Sequence, residues 1–345
     1  MPATVSTELF IFPDEEALCT PSAQNARYSQ PLRRGGFCLL FSPPTFCRGY
    51  LQTCCLRICD FVICGDVTMD IKLFVCCHRP VNVPKHPLLV PLQVGAALAD
   101  SRFCGFLHDD VGENISNMNH SYCELTAQYW AWRNVWADYY GFFHYRRYLY
   151  PNVDTKLPYR IEQKATLSVL SKLGYGELGD LITQYDLILP KKEDMYISVR
   201  EHYAQARFHH RKDLELVEQV IRERNPEITL AADQYLSGTA CYFGNIYIMK
   251  RDIFCDYCAW LFSILKEFDL QKDTSGYCCQ EQRVDGYLAE RLLGIYATYC
   301  HNAKMLELPR VHFFEDPVEL VKKRILNFIL PPGSVRRGRV KAIMR

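Results

Sequence analysis

Long apolar runs, a marked charge imbalance and a leader sequence are all missing from this chain of 345 residues. No apolar run reaches the roughly 18 residues that a membrane-spanning helix needs. The formal net charge of +1 provides no general attraction to nucleic acid, so we expect no nucleic-acid partner. The acidic residues Asp14, Glu15 and Glu16 interrupt the stretch where a secretory signal would have its apolar core. The sequence therefore indicates a cytoplasmic protein.

Lysine is absent from the first 68 residues, which hold seven of the 17 cysteines. Cys54, Cys55 and Cys59 lack the spacing of a zinc site, and the other cysteines are too scattered for a disulfide-rich secreted domain. The composition changes at Met69, where MDIKLFVCCHRP predicts a buried strand after a start methionine. We expect residues 1–68 to be a disordered extension or a segment outside the natural protein, with a lipidated or metal-binding arm as the alternative.

A polar loop at residues 109–119 leads into an aromatic helix that we expect to begin near Tyr122. Ser121 and Glu124 have the spacing of a helix capping box, which favours a structural role for Glu124 over a catalytic one. Trp132 and Trp136 recur at helical spacing, which is typical of core residues. Trp130 lies off this stripe and is predicted to be the freer aromatic side chain.

The next apolar stretch, residues 139–143, predicts a strand that ends in His144, Tyr145, Arg146 and Arg147. In open α/β sheets, ligands bind beyond the carboxyl ends of the strands. Adjacent residues of a strand point to opposite faces, so we expect at most one of the two arginines to face a given pocket. Both could reach it only if the strand ends there. This segment predicts a site for an anionic substrate.

The remaining pattern alternates short strands with helices, as expected for an α/β fold. Residues 196–211 are polar and aromatic, and a mobile lid is the role we favour for them over a metal site. Glu290 and Arg291 interrupt an apolar helix, which indicates either a buried pair or site residues. We predict strands at residues 71–76, 185–189 and 241–249, a loop at 233–239, and helices at 161–173, 213–224, 252–268 and 282–299.

The tail is the one region with a clear charge asymmetry. Residues 320–345 contain eight lysines or arginines and no acid, with apolar residues between them. This pattern is typical of a segment that lies on an anionic membrane surface, and a packed helix with a frayed basic end is the alternative. We therefore expect three parts: the extension 1–68, a single catalytic domain 69–319, and a basic amphipathic tail 320–345 at the inner face of the membrane.

The order of motifs resembles a bacterial family catalogued as a domain of unknown function. The matching segments are KLFVCCHRP, HDDVGENISNMN, YCELTAQYWAWRN, YYGFFHYRRYL, YDLILPKK, GNIYIMK, YCAWLFSIL and GYLAERLL, and they extend from about Met69 to Phe314. Members of that family are associated with capsular and exopolysaccharide synthesis, are regarded as glycosyltransferases, and in some cases are thought to transfer galactofuranose. The resemblance implies a GT-A-like (Rossmann-like) fold: a mixed, mostly parallel sheet flanked by helices.

The same resemblance implies a nucleotide-sugar donor, with UDP as the favoured nucleotide, and a glycan or lipid-linked acceptor. GT-A enzymes usually hold a divalent metal with an Asp-x-Asp motif, but here the matching position reads His-Tyr-Arg-Arg. Asp109 and Asp110 keep a Mn²⁺ or Mg²⁺ site open. The residues implied to bind the donor are His78, Arg79, Asp109, Asp110, Gly112, Asn114, Asn119, His144 and Tyr145.

Glycosyl transfer requires countercharge for the departing diphosphate and, in an inverting reaction, a carboxylate base. Arg146 and Arg147 are the candidates for the first role. Glu290 is the first candidate for the base and Asp233 the second, followed by Asp109 or Asp110. The alternatives from other classes are a hydrolase that acts on phosphorylated substrates and a non-catalytic sugar-binding or membrane-associated protein.

Overall fold

A twisted sheet forms the centre of the computed structural model, which describes residues 69–337 and residue 340. Its main path runs in the order β11-β7-β10-β4-β1-β2-β3, and β5, β6 and β12 extend it at the end of β4. The strands are β1 Ile71–Cys77, β2 Leu89–Gln93, β3 Leu107–His108, β4 Tyr139–His144, β5 Arg147–Leu149, β6 Tyr159–Glu162, β7 Leu187–Pro190, β8 Glu193–Asp194, β9 Ala240–Cys241, β10 Tyr247–Lys250, β11 Met305–Leu308 and β12 Arg310–Phe313.

Five of the nine strand pairs that the structure describes in this sheet are parallel, and β10 enters between β4 and β7 in the opposite direction. β8 and β9 pair antiparallel in a separate two-stranded sheet. The pairs of β1 with β2 and β4, of β2 with β3, of β7 with β11 and of β6 with β12 are parallel. By contrast, β10 runs antiparallel to both β4 and β7, and β5 folds back on β4. The prediction of a mixed, mostly parallel sheet is confirmed.

Ten helices cover the two faces of this sheet in the described part of the chain. They are α1 Asn119–Tyr122, α2 Leu125–Asn134, α3 Leu167–Lys172, α4 Leu178–Ile182, α5 Val199–Gln205, α6 Arg211–Arg224, α7 Thr229–Ser237, α8 Arg251–Gln271, α9 Val284–Tyr299 and α10 Pro317–Ile329. None of these helices is long and apolar enough to cross a membrane.

The alternation of side chains along β1 divides the core into two layers. Phe74 and Cys76 pack with the helices α2 and α6 to α9 on one face. Leu73 and Val75 pack on the other face with α3, α4 and the hairpin of β4 and β5. Because both faces are covered, the strand reads as a continuous apolar run, as expected for a parallel sheet.

Several local predictions were wrong for reasons of packing. Trp130 is only 7% exposed and donates its indole N–H to the carbonyl oxygen of Val111 at 2.7 Å, whereas Trp136 is 58% exposed. Trp132 does pack against the core and stacks on Phe262. Leu125 begins α2, so the helix starts later than predicted and a separate short helix, α1, precedes it.

Two further elements differ from the sequence-based expectation. Residues 233–239, predicted as a loop, belong largely to α7, and residues 161–164 form the end of β6 and a turn rather than the start of a helix. The expected lid is packed: Val199 and Tyr203 of α5 are fully buried, and His209 stacks on Tyr287. This packing does not fit a mobile cover. The calls on residues 1–68 lie outside the described residues.

Candidate active site

The carboxyl ends of β1 and β4 meet at one edge of the sheet. Cys76 of β1 pairs with His144 of β4, so the residues that follow each strand lie side by side. Because β10 runs antiparallel to β4, with Tyr247 paired to Phe142, the turn that precedes β10 arrives at this same edge. The topology therefore gathers three segments that are distant in the sequence.

The first group at this edge surrounds the buried ring of Tyr145. The guanidinium carbons of Arg79 and Arg146 lie 4.9 Å and 5.2 Å from the ring centroid. His78 contacts the ring edge-on at 5.0 Å, and His144 lies at 4.4 Å. Arg146 is thus engaged with an aromatic ring, and the structure does bring together these predicted donor-binding residues.

Arg147 is directed to a second group that contains carboxylates. Burial lowers the pKa of its guanidinium, and Glu290 and Glu124 offset part of this effect. Within residues 69–337, no hydrogen bond or ion pair of the guanidinium is found. Of the arginine pair, Arg147, the first residue of β5, interacts with Glu290 and Glu124, whereas Arg146, in the turn between β4 and β5, interacts with Glu315. We define the candidate site as Glu124, Arg147, Asn245, Arg283 and Glu290.

Glu124 is a buried carboxylate held by a side-chain hydrogen bond and by its own backbone. Its Oε1 accepts a 2.9 Å hydrogen bond from the side-chain amide of Asn245. Burial raises the pKa of this carboxyl and the neighbouring Glu290 adds to the increase, while Asn245 and Arg283 act in the opposite direction. Ser121 donates instead to Asp285, so the predicted capping box is absent, and the contact that Glu124 makes is the hydrogen bond from Asn245.

Glu290 has both carboxylate oxygens engaged. Oε1 accepts a 2.7 Å hydrogen bond from the backbone N–H of Gly244, and Oε2 lies 2.9 Å from the guanidinium of Arg291. Arg291 is 1% exposed and lies between the rings of Tyr203 and Phe243. The sequence predicted either a buried ion pair or site residues here. In the structure Glu290 and Arg291 form an ion pair, and Glu290 also lies in the candidate site. Glu290 holds the turn that presents Asn245.

Two of the four non-glycine residues with positive φ in the described chain lie beside Glu124. Cys123 and Asn245 have positive φ values of 51° and 48°. Non-glycine residues rarely adopt this region, and such strain persists where the surrounding structure imposes it, often at functional sites. Two further contacts hold Asn245. Its side-chain amide also donates to the carbonyl oxygen of Gly286 at 3.0 Å, and its backbone carbonyl oxygen accepts from the side chain of Gln128 at 3.3 Å.

Arginines give the surroundings of the site a positive character. The guanidinium of Arg283 contacts the Cys123 sulfur at 3.3 Å and interacts favourably with Glu124. Burial and nearby arginines hold the pKa of His144 and of His312 well below the usual histidine value. Both imidazoles are therefore neutral at pH 7, and the fixed positive charge comes from the arginines. An anionic ligand would fit this field.

The polar side chains of the loop at residues 109–119 are used in hydrogen bonds that hold the loop in place. The carboxylate of Asp109 is fully buried and accepts hydrogen bonds from the backbone N–H groups of Gly95 and Ala96 and from the hydroxyls of Ser116 and Thr126. These bonds fix the turn after β2 to the start of α2. The structure therefore contradicts the prediction of Asp109 as a donor-binding residue, metal ligand or base and gives this residue a structural role.

The other loop residues are occupied in the same way. Asp110 forms an ion pair with Arg102. Asn114 donates to the backbone oxygens of Asp110 and Gly112, and Asn119 donates to the backbone of Cys123 and the hydroxyl of Thr126. A β-carbon at Gly112 would lie 2.2 Å from the side chain of Asn134, so only glycine fits this approach to α2.

Asp109 does not fit the role of a divalent-metal ligand, because both of its carboxylate oxygens serve the loop. Asp110 pairs with Arg102 through Oδ2, and its Oδ1 is buried without a hydrogen-bond partner among the described residues. Among the residues described, no group of three or more His, Cys, Asp or Glu side chains is arranged to hold a metal ion. Asp233 is also outside the candidate site: it is 61% exposed on α7 and lies 3.6 Å from Arg200. The choice of Asp233 as a base was therefore wrong.

Sequence reasoning missed Asn245, Arg283 and His312. Asn245 and its preceding glycine stand within a strand-like pattern, which is a signal for an irregular turn. Arg283 and His312 carry no such signal: Arg283 is the last residue of an ordinary polar stretch, and His312 stands between two apolar residues.

The comparisons with known proteins identify the family and the fold. The family model described as a domain of unknown function, DUF4422, matches residues 72–302. The chain belongs to this family. It is also similar to the solved apo structure of WbbM, a bifunctional glycosyltransferase, with 30% sequence identity and a TM-score of 0.66. No curated protein matches the chain.

The structural match covers 71% of this chain and 45% of WbbM, so the chain spans less than half the length of that protein. The match confirms the predicted GT-A-like fold with a single catalytic-type domain, and it places the family among glycosyltransferase-like proteins.

Proposed function

We propose that this protein is a glycosyltransferase that moves a sugar from a nucleotide-sugar donor to a glycan acceptor. The similarity to a bifunctional glycosyltransferase supports this class of reaction. The observation that carries most weight is Arg147, whose guanidinium lies at the carboxyl edge of the sheet without a hydrogen bond or ion pair to the described residues. A guanidinium binds a diphosphate through paired, charge-assisted hydrogen bonds.

The reaction needs one bond to form and one to break. The acceptor hydroxyl oxygen attacks the anomeric carbon, while the bond from that carbon to the diphosphate oxygen breaks. Negative charge then develops on the diphosphate, and Arg147 stabilises it where it forms. Arg283 adds positive charge near the same carboxylates. Asp109 is held by its own loop, and the described residues contain no group of three or more His, Cys, Asp or Glu side chains arranged to hold a metal ion, so we assign the countercharge to these arginines.

In an inverting transfer the acceptor proton passes to a carboxylate base. We assign this role to Glu124, because Asn245 and its own backbone N–H hold the carboxylate in place and Arg283 interacts favourably with it. Burial also raises the pKa of this carboxyl toward the working pH, and a general base is most effective when its pKa lies near that pH. Glu290, the residue that the sequence favoured, is a positioning residue in this scheme, since its oxygens hold Gly244 and Arg291.

The finer parts of the proposal come from the family resemblance. They are a UDP-linked donor, galactofuranose as the transferred sugar, and a lipid-linked acceptor in capsular or exopolysaccharide synthesis. His78, Arg79 and His144 lie together beside Tyr145 and are the residues that we assign to the nucleotide.

Thermal unfolding in the presence of nucleoside diphosphates, with and without Mn²⁺ or Mg²⁺, tests the donor site, because a ligand that binds only the folded state raises Tm. We expect one nucleoside diphosphate to raise Tm without added metal, and the matching nucleotide sugar to lose its sugar when an acceptor is supplied. Binding without transfer would favour a non-catalytic sugar-binding protein. Absence of any diphosphate effect would overturn the proposal.

A further inference from the structure

Helix α10 exposes a continuous apolar stripe to solvent. Phe328 is 88% exposed, and the other members of the stripe are all more than half exposed. On a helix of about 3.6 residues per turn, these side chains fall within an arc of roughly 100°. We define the α10 stripe as Val318, Val321, Ile325, Phe328 and Ile329.

Basic residues border the α10 stripe on both sides. Arg324 falls on one edge of the arc and Lys322 on the other, and both side chains are exposed. Lys322 lies 3.5 Å from Glu319, a pair too exposed to neutralise it in a fixed manner. The chain that follows contains Arg336, Arg337, Arg339, Lys341 and Arg345 and no acid. Apolar side chains flanked by cations match the layering of an anionic lipid surface, where lysine and arginine extend to the headgroups.

The opposite face of α10 anchors the helix to the sheet. Leu320 is buried, and the side chain of Asn327 accepts hydrogen bonds from Tyr159 of β6 at 3.5 Å and from Arg337 at 2.7 Å. The stripe is therefore not a core face that has failed to pack. The helix has a separate face for the protein and leaves its larger apolar face free.

We infer that α10 docks this protein flat on a membrane that contains anionic lipid. The α10 stripe enters the boundary between headgroups and acyl chains, while Lys322 and Arg324 bind the lipid phosphates. Contacts connect α10 to the candidate site. Asn327 accepts a hydrogen bond from Tyr159, and the ring of Tyr159 stacks on His312 with centroids 4.5 Å apart. Burial lowers the pKa of His312, and the charge of Arg147 contributes to the decrease. The inference about membrane docking rests on the exposed side chains of α10 and does not depend on the proposed reaction.

Sedimentation of the full chain with lipid vesicles tests this inference without any assay of activity. We expect binding to vesicles of phosphatidylglycerol and phosphatidylcholine that weakens as salt is raised, and little binding to phosphatidylcholine alone. The triple variant Val321→Ser, Ile325→Ser, Phe328→Ser should bind at least about 10-fold more weakly, because the apolar contribution is removed. Lys322→Gln and Arg324→Gln should each weaken binding about 5-fold, the equivalent of about 1 kcal/mol per charge.

The matched control is the double variant Leu230→Ser, Leu270→Ser. These leucines are 69% and 74% exposed on α7 and α8, so they remove comparable apolar surface elsewhere. The control should bind vesicles as the parent does. The inference is overturned if the parent does not bind anionic vesicles, or if the stripe variant and the control bind equally well. It is also overturned if ultracentrifugation shows a dimer that the stripe variant abolishes while vesicle binding is absent, since a second copy would then cover the stripe.

Discussion

The side chains of Glu124 and Asn245 are joined across the candidate site by a 2.9 Å hydrogen bond, although 121 positions separate them in the sequence. Glu124 lies just before α2, and Asn245 lies in the turn before β10. The amide donates to one oxygen of the carboxylate and fixes its orientation. Because Gly244 is in turn held by Glu290, the two carboxylates are connected through a single turn of the backbone.

Replacing Arg147 by lysine should reduce glycosyl transfer more than it reduces donor binding. Lysine keeps the charge but loses the planar pair of donors. If the contact strengthens as the diphosphate departs, we expect kcat to fall by roughly 10²-fold or more, equivalent to about 3 kcal/mol. Arg224→Lys is the matched control, because Arg224 is exposed at the end of α6, where its guanidinium pairs with Glu267. Kinetics with an unchanged Tm would support the role, and near-normal turnover of Arg147→Lys would refute it.

Replacing Glu124 by glutamine should remove the general base while preserving the acceptor oxygen for Asn245. We expect kcat to fall by roughly 10²- to 10⁴-fold. In the parent, kcat/KM should rise with pH as the carboxyl ionises, at a pH above the usual glutamate range because the pKa of Glu124 is raised. The variant should lose this dependence. Glu177→Gln, at an exposed position, is the control, and an unchanged pH profile in Glu124→Gln would exclude the assignment.

Asp285 should make the protein more stable as the pH falls from about 7 to about 5. Burial raises the pKa of this carboxyl to about 6, and the neighbouring Asp269 contributes, although Lys272 opposes the shift. The folded state therefore takes up a proton that the unfolded chain binds only at lower pH, and the free energy of unfolding increases over this window. Urea unfolding at both pH values should show a smaller difference for Asp285→Asn than for the parent. The exposed-site control Asp256→Asn should keep the parental difference.

Trp130 and Trp136 should differ sharply in their effect on stability. Trp130 packs edge-on against Phe74 and is buried, so Trp130→Ala should lower the free energy of unfolding by about 3–5 kcal/mol. Trp136 is exposed, with the guanidinium of Arg251 4.9 Å from its ring, and Trp136→Ala should cost about 1 kcal/mol or less. Denaturant unfolding of the two variants measures the contrast, and equal losses would contradict the assigned packing.

A protein that begins at Met69 should fold and retain donor binding. Both core layers of the described chain are built from residues at or after Ile71. The measurement is the Tm of the shortened protein with and without a nucleoside diphosphate. Loss of cooperative unfolding or of the ligand-induced increase would show that residues 1–68 are needed.

The periodicity of the sequence was enough to predict the long elements. The apolar run at β1, the strand before His144, and the helices α8 and α9 all lie within a few residues of their predicted bounds. These segments are long or fully buried, so local pattern and final environment agree. The capping-box prediction at Ser121 and Glu124 was wrong because Asp285, far along the chain, offers Ser121 a stronger buried partner.

The sequence by itself determined the fold class and the family, and it located a cationic strand end at His144 to Arg147. Those features depend on contiguous residues, and contiguous residues define strands, helices and motifs. Only the tertiary structure decided that Arg147 rather than Arg146 faces the carboxylates, that Glu124 rather than Asp233 lies beside it, and that Asp109 is consumed by its own loop. These outcomes depend on the strand order of the sheet and on competition for hydrogen bonds between distant residues, and no local pattern records either.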